Sequence, residues 1–180
     1  QLSRKITFMT LYKVGIDIGS TTAKIVALDP SGKPVYTNYV RHQARVKDCI
    51  ADFCSDLRRV AGDSLLSISV TGSVGMGVSE RCNVPFVQEV VAAANYVRCA
   101  HPEAKTMIDI GGEDAKVVFF DGGRATDLRM NGNCAGGTGA FIDQMAILLH
   151  ASNDELNALA LRSTQVYPMA SRCGVFSKTD

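Results

Sequence analysis

The sequence has 180 residues, 46% hydrophobic and 21% charged, with a formal net charge of +1. That balance fits a globular chain of one or two small domains and gives no reason to expect nucleic acid or an anionic membrane as partner. No apolar run approaches a membrane span and residues 1–10 lack the long apolar core of a secretory signal, so a cytoplasmic location is expected.

In chain order, Met9 reads as a native start, with residues 1–8 belonging to an upstream segment. The stretch Ile16–Asp29 (IDIGSTTAKIVALD) then recurs 92 positions later as Ile108–Asp121 (IDIGGEDAKVVFFD), with eight of fourteen positions identical. A repeat at that distance is too long for a solenoid unit and suits two halves of a duplicated fold. The first copy continues through a turn at Pro30-Ser31-Gly32, a strand over 34–40 and a helix over 46–60. Cys49 and Cys54 share that helix but point about 140° apart, which excludes them as a ligand pair. A strand over 66–70, a glycine-rich loop over 72–77 and a helix over 88–99 follow. The loop is expected to be a flexible rim of the cleft, and Cys82 and Cys99 are expected to be inert packing residues.

The second copy continues through Gly122-Gly123, a strand over 125–130 and a helix over 139–150, whose Phe141, Met145, Leu148 and Leu149 form an apolar stripe facing a core. A short helix over 154–161, started by Asn153, comes next. The final residues, Cys173 to Asp180, read as the beginning of a further element. The expected fold class is α/β: one domain over 10–104, then the start of an incomplete second domain over 105–180.

Gly19 to Lys24 does not match a P-loop, because Lys24–Leu28 returns as a strand rather than opening a helix. A hairpin of this kind lets backbone N–H groups and the hydroxyls of Ser20, Thr21 and Thr22 gather around anionic oxygens. Asp17 and Asp109, each just before a turn, suit Mg²⁺, which prefers one or two carboxylates plus phosphate. Gly111 and Gly112 would complete a phosphate site from the second copy. Two plain hairpins with structural aspartates are the simpler alternative, which the pairing of related turns disfavours.

The six cysteines contain no C-x-x-C and read as thiols or metal ligands before disulfides. Cys134 sits in a glycine-rich loop before a predicted helix, a setting that favours thiolate. Cys173 stands in a similar place 39 positions on, and two unrelated surface thiols remain the alternative. An iron–sulfur cluster takes four cysteines, so two per chain would fill a site only in a homodimer.

The turns Asp17-Ile-Gly-Ser-Thr and Asp109-Ile-Gly-Gly-Glu-Asp resemble the phosphate motifs of the acetate/sugar kinase, heat-shock cognate and actin superfamily, built on duplicated ribonuclease-H-like domains. The superfamily's adenosine motif has no counterpart here, which fits an incomplete second half. With Thr71-Gly72, Asn133-Cys-Ala-Gly-Gly-Thr-Gly139 and Cys173, the pattern resembles the BadF/BadG/BcrA/BcrD ATPases. That resemblance implies ATP or ADP with Mg²⁺ held between the turns by Gly19, Ser20, Thr21, Thr22, Ala23, Lys24, Gly111, Gly112 and Glu113. It implies Glu113 or Asp114 orienting the attacking water, with Glu113 preferred because its turn lacks the run of hydroxyls. It also implies a [4Fe–4S] cluster on Cys134 and Cys173 of two subunits. Domain closure would tune that cluster and pass one electron to a 2-hydroxyacyl-CoA dehydratase or benzoyl-CoA reductase partner. A small-molecule kinase, such as an amino-sugar kinase, and a silent actin-like assembly module are the alternatives.

Overall fold

The computed structural model describes residues 10–131, 134, 136–168 and 173–179. The readings placed on residues 1–9, on Gly132, Asn133 and Ala135 of the cysteine loop, and on Ser171, Arg172 and Asp180 lie outside the described residues. The chain divides into two compact units, 1–93 and 94–180. No helix among the described residues is long and apolar enough to cross a membrane.

The first unit contains β1 (Leu11–Ile18), β2 (Thr22–Leu28), β3 (Pro34–Arg41), α1 (Val46–Ala61), β4 (Leu65–Thr71), α2 (Gly75–Cys82) and the start of α3 (Glu89–Ala100). Its sheet runs β3-β2-β1-β4, antiparallel except for the parallel pair β1/β4. Alternate residues of a strand face one side, so Val14, Ile16 and Ile18 of β1 join Ala23, Ile25 and Ala27 of β2 in one buried layer. Phe53, Leu57 and Ala61 repeat every four residues along α1 and cover that layer. Full burial of a side chain such as Phe53 contributes about 2–3 kcal/mol. Gly62 ends α1 with φ 57°, its N–H donating to the Arg58 carbonyl at 2.9 Å. Beyond β4 the chain adds a parallel bridge, Val70 with Phe86.

The second unit repeats the opening pattern: β5 (Thr106–Ile110), β6 (Ala115–Asp121) and β7 (Arg124–Met130) form an antiparallel meander, followed by α4 (Gly139–Leu148), α5 (Asn153–Arg162) and α6 (Gly174–Thr179). Asp17 pairs in register with Lys24, and Asp109 with Lys116. The meander, the helical crossover and the parallel return strand make this the ribonuclease-H-like fold of actin-like ATPases.

Several expectations need correction. The stretch 72–77 is not a flexible rim: α2 starts at Gly75, where a Cβ would lie 2.9 Å from Val70 Cγ1. Gly72 and Gly75 serve close packing, whereas a Cβ on Gly77 would meet nothing within 4 Å. Cys82 and Cys99 are exposed, not packed, because α2 and α3 turn those positions outward. Leu148 and Leu149 are also exposed, and the inward side of α4 is carried by the buried Ala146 with the half-buried Phe141 and Met145. Ser152, not Asn153, caps α5: its hydroxyl accepts from the Glu155 N–H while Glu155 accepts from the Ser152 N–H, a reciprocal capping box.

Candidate functional site

The first turn joins β1 to β2 and is closed by the Gly19 N–H donating to the Thr22 carbonyl at 2.9 Å. Ser20 and Thr21 are exposed, whereas Thr22 is buried. Ala23 is wholly buried and pairs with Ile18 and Val40, so its side chain supports the turn from the core. Lys24 reaches back across the hairpin to Asp17 Oδ2 at 2.7 Å and lies over the Tyr39 ring. The lysine side chain is 40% exposed, so this pair contributes little to stability.

The other carboxylate oxygen carries the chemical interest. Asp17 Oδ1 is buried without a hydrogen-bond partner, and so is Thr71 Oγ1 on the neighbouring strand, where Thr71 stands in register with Asp17. Buried polar atoms are normally satisfied, so an orphaned carboxylate oxygen beside an orphaned hydroxyl is a place for a hydrated cation. The chain turns away at Gly72 with φ +93°, where a Cβ would lie 2.3 Å from the Ile18 carbonyl oxygen and 2.5 Å from Asp17 Oδ1. Only glycine fits. Asp17, Lys24 and Thr71 also border a cavity of about 500 Å³ on the sheet face opposite α1.

The second turn is built differently. Lys116 is buried, with 7% of its side chain exposed, and binds both oxygens of Asp114 at 3.0 and 2.9 Å. A Cβ on Gly111 would fall 2.5 Å from Asp114 Oδ1, so the glycine makes room for that carboxylate. Glu113 is exposed and Asp109 is half-buried. The carbonyls of Gly111 and Gly112 accept from the N–H groups of Gly139 and Ala140, at 2.8 and 2.9 Å, which are the first residues of α4. Thr138, immediately before them, is fully buried. Helix α4 therefore sits directly on the second turn.

The same segment leads back to Cys134. Asn131 donates its amide to the Cys134 carbonyl at 2.9 Å and accepts from the Ala115 N–H at 2.7 Å, tying the cysteine loop to β6. The exposed Cys134 Sγ accepts from the Gly136 N–H at 3.3 Å. That donor and, second, the Gly174 N–H hold the thiol below its ordinary range. The donors thus come from the cysteine's own loop and from the start of α6. Gly136 and Gly174 touch: a Cβ on Gly136 would lie 3.4 Å from the Gly174 nitrogen. The half-buried Cys173 precedes Gly174, so the structure brings the two cysteine loops together. No group of three His, Cys, Asp or Glu side chains among the described residues converges to hold a metal. Thr71, Gly72, Asn131 and Thr138 were not singled out as site residues in the sequence, although Thr71-Gly72 was visible as a motif.

Comparison with known proteins identifies the family. The BadF/BadG/BcrA/BcrD ATPase family profile matches residues 14–180. The chain is 30% identical to the (R)-2-hydroxyglutaryl-CoA dehydratase activating ATPase of Acidaminococcus fermentans over 174 residues, covering 96% of this chain and 66% of that protein. The crystal structure of the Acidaminococcus fermentans (R)-2-hydroxyglutaryl-CoA dehydratase component A superposes with a TM-score of 0.81 at 30% identity, covering 94% of this chain and 66% of that one. The Clostridium difficile activator of 2-hydroxyisocaproyl-CoA dehydratase, solved with bound ADPNP, superposes with a TM-score of 0.77 at 31% identity, covering 93% and 63%. The chain thus spans a little under two thirds of the length of these relatives. With the repeated turns and the paired cysteine loops in this arrangement, the chain belongs to the BadF/BadG/BcrA/BcrD ATPase family.

Proposed function

We propose that this chain is the nucleotide- and cluster-binding part of an ATP-dependent activator that delivers one electron to a 2-hydroxyacyl-CoA dehydratase or benzoyl-CoA reductase type of partner. Its relatives are named as dehydratase activators, and one was solved with an ATP analogue. The observation that carries the reading is Cys134 Sγ taking backbone N–H bonds from its own loop and from the residue after Cys173. Such donors stabilise a thiolate, the form that ligates iron.

Cys134 and Cys173 of each chain would hold one [4Fe–4S] cluster in a homodimer, since two thiols per chain fill half of a four-cysteine site. The cluster supplies one-electron reducing power. N–H donors to a ligand sulfur set its charge and so its potential. Gly19, Ser20, Thr21, Thr22, Ala23 and Lys24 of the first turn and Gly111, Gly112 and Glu113 of the second would bind ATP phosphate. Asp17 and Asp109 would serve Mg²⁺, a role that the orphaned Asp17 Oδ1 supports. Glu113, exposed at its turn, is the preferred group to orient water. Asp114 is the weaker candidate because Lys116 occupies both of its oxygens. Any shift of Gly111 and Gly112 on nucleotide binding would pull on Gly139 and Ala140, and so on the segment leading to Cys134. The expected domains remain 10–104 and 105–180, and the expected compartment is the cytoplasm.

The test is anaerobic reconstitution with iron and sulfide, followed by an absorption spectrum. The wild-type chain is expected to turn brown with a band that bleaches on reduction, and Cys134→Ala and Cys173→Ala to remain colourless. A wild-type chain that binds MgADP yet stays colourless would remove the electron-transfer role and leave an ordinary nucleotide-binding protein.

A further inference from the structure

The segment joining β3 to α1 buries a histidine against the first turn. His42 is only 5% exposed although it lies in a connection, where surface placement is usual. A buried imidazole must satisfy both nitrogens, and here both have partners. The Ala44 N–H points at Nδ1 at 3.1 Å, so Nδ1 is the acceptor and the proton is on Nε2. Nε2–H then donates to the Gly19 carbonyl at 3.1 Å, and the His42 backbone N–H donates to the Thr21 carbonyl at 3.2 Å.

Those two carbonyls flank Ser20. In a trans peptide the carbonyl and the following N–H point opposite ways, so fixing the Gly19 carbonyl aims the Ser20 N–H away from the imidazole. Fixing the Thr21 carbonyl does the same for the Thr22 N–H. The Ser20 N–H thereby becomes an anchored donor on the far side of the turn, as a bound anion requires, while the Thr22 N–H shares the edge on which the Thr22 carbonyl accepts from Gly19. The backbone is strained to achieve this. Gln43 and Ala44 have φ of 46° and 63°, left-handed values that non-glycine residues rarely adopt. They fold Ala44 N–H back onto the ring, and Arg45 N–H onto the His42 carbonyl at 2.7 Å. Strain held in place beside a turn of this kind points to a role.

We propose that His42 is a positioning residue that sets the Gly19–Thr22 turn for nucleotide phosphate. The inference rests on the nucleotide role proposed above and adds a residue that touches no ligand itself. The second copy solves the same problem without a side chain: Gly111, the counterpart of Gly19, has its carbonyl held by the Gly139 N–H.

Titration of MgADP into the wild-type chain, His42→Gln and His42→Asn, beside thermal midpoints of each, provides the test. The Gln amide reaches far enough to replace Nε2–H, whereas the Asn amide can only replace Nδ1. Gln is expected to keep affinity within about threefold and Asn to weaken it about tenfold, the loss of roughly one hydrogen bond. Wild-type affinity in the Asn variant, or losses in both variants that merely follow their thermal midpoints, would overturn the proposal. A wild-type chain that binds no MgADP would overturn the nucleotide role and this inference together. Nitrogen NMR of the wild-type ring gives a readout independent of any variant. A proton on Nε2 and a shift of that nitrogen on adding MgADP are expected, and a ring insensitive to MgADP would contradict the assignment.

Discussion

The two copies of the turn share a sequence and differ in what holds them. In the first, Lys24 binds the aspartate that precedes the turn, and a buried histidine fixes the Gly19 carbonyl. In the second, Lys116 binds an aspartate within the turn, and the first residues of α4 fix the Gly111 and Gly112 carbonyls. The same backbone demand is thus met once by a side chain and once by a helix start. Where the helix does the work, the turn is mechanically tied to the cysteine loop. Duplication supplies the scaffold, and the difference between the copies is where a signal from nucleotide to thiol would run.

The comparison can be broken most severely at Gly72, whose backbone runs against Asp17 and Ile18. Gly72→Ala combines φ +93° with a 2.3 Å overlap on a backbone atom and is expected to cost about 3 kcal/mol or more in denaturant unfolding. Gly139→Ala, at 3.1 Å from the Gly111 oxygen, is expected to cost about 1 kcal/mol. Equal effects would mean that the first unit is no more tightly built around its turn than the second.

The aspartates come next. Removing Asp114 takes from the buried Lys116 ammonium the carboxylate it binds, so Asp114→Ala is expected to cost about 2–3 kcal/mol. Asp17→Ala leaves a lysine that already reaches water and is expected to change stability by less than about 1 kcal/mol. A reversed order would show that the burial of Lys116 is not balanced by Asp114.

The smallest contrast concerns Cys134. Because its folded thiol is held low by the Gly136 and Gly174 N–H groups, more of it is thiolate at a given pH than in an ordinary cysteine. Its alkylation by iodoacetamide, followed by peptide mass spectrometry, should reach half its limiting rate below the ordinary thiol value of about 8.5. Unfolding in urea should move that midpoint upward. A midpoint unchanged by unfolding would remove the two N–H donors from the explanation.

The sequence made the hairpins legible because both the repeat and the alternation of Lys24–Leu28 and Lys116–Phe120 are local patterns. It made Cys134 conspicuous for the same reason. Gly72 was read as flexible because its true constraint is non-local: the parallel pairing of β4 with β1 brings Thr71 and Gly72 against Asp17 across the whole of α1. His42 carried no local signal, since nothing in a single histidine announces that two left-handed residues will fold its neighbour's N–H onto it. The meeting of the Cys134 and Cys173 loops was likewise beyond spacing alone. It is a contact between Gly136 and Gly174, 38 residues apart in the chain, with no local pattern to announce it.

Native mass spectrometry of the anaerobically reconstituted chain decides whether two subunits share one cluster. Two chains carrying four irons and four sulfides together are expected, with the assembly lost in Cys134→Ala and Cys173→Ala. A cluster on a single chain, or a dimer that keeps its cluster without either cysteine, would contradict a cluster shared through Cys134 and Cys173.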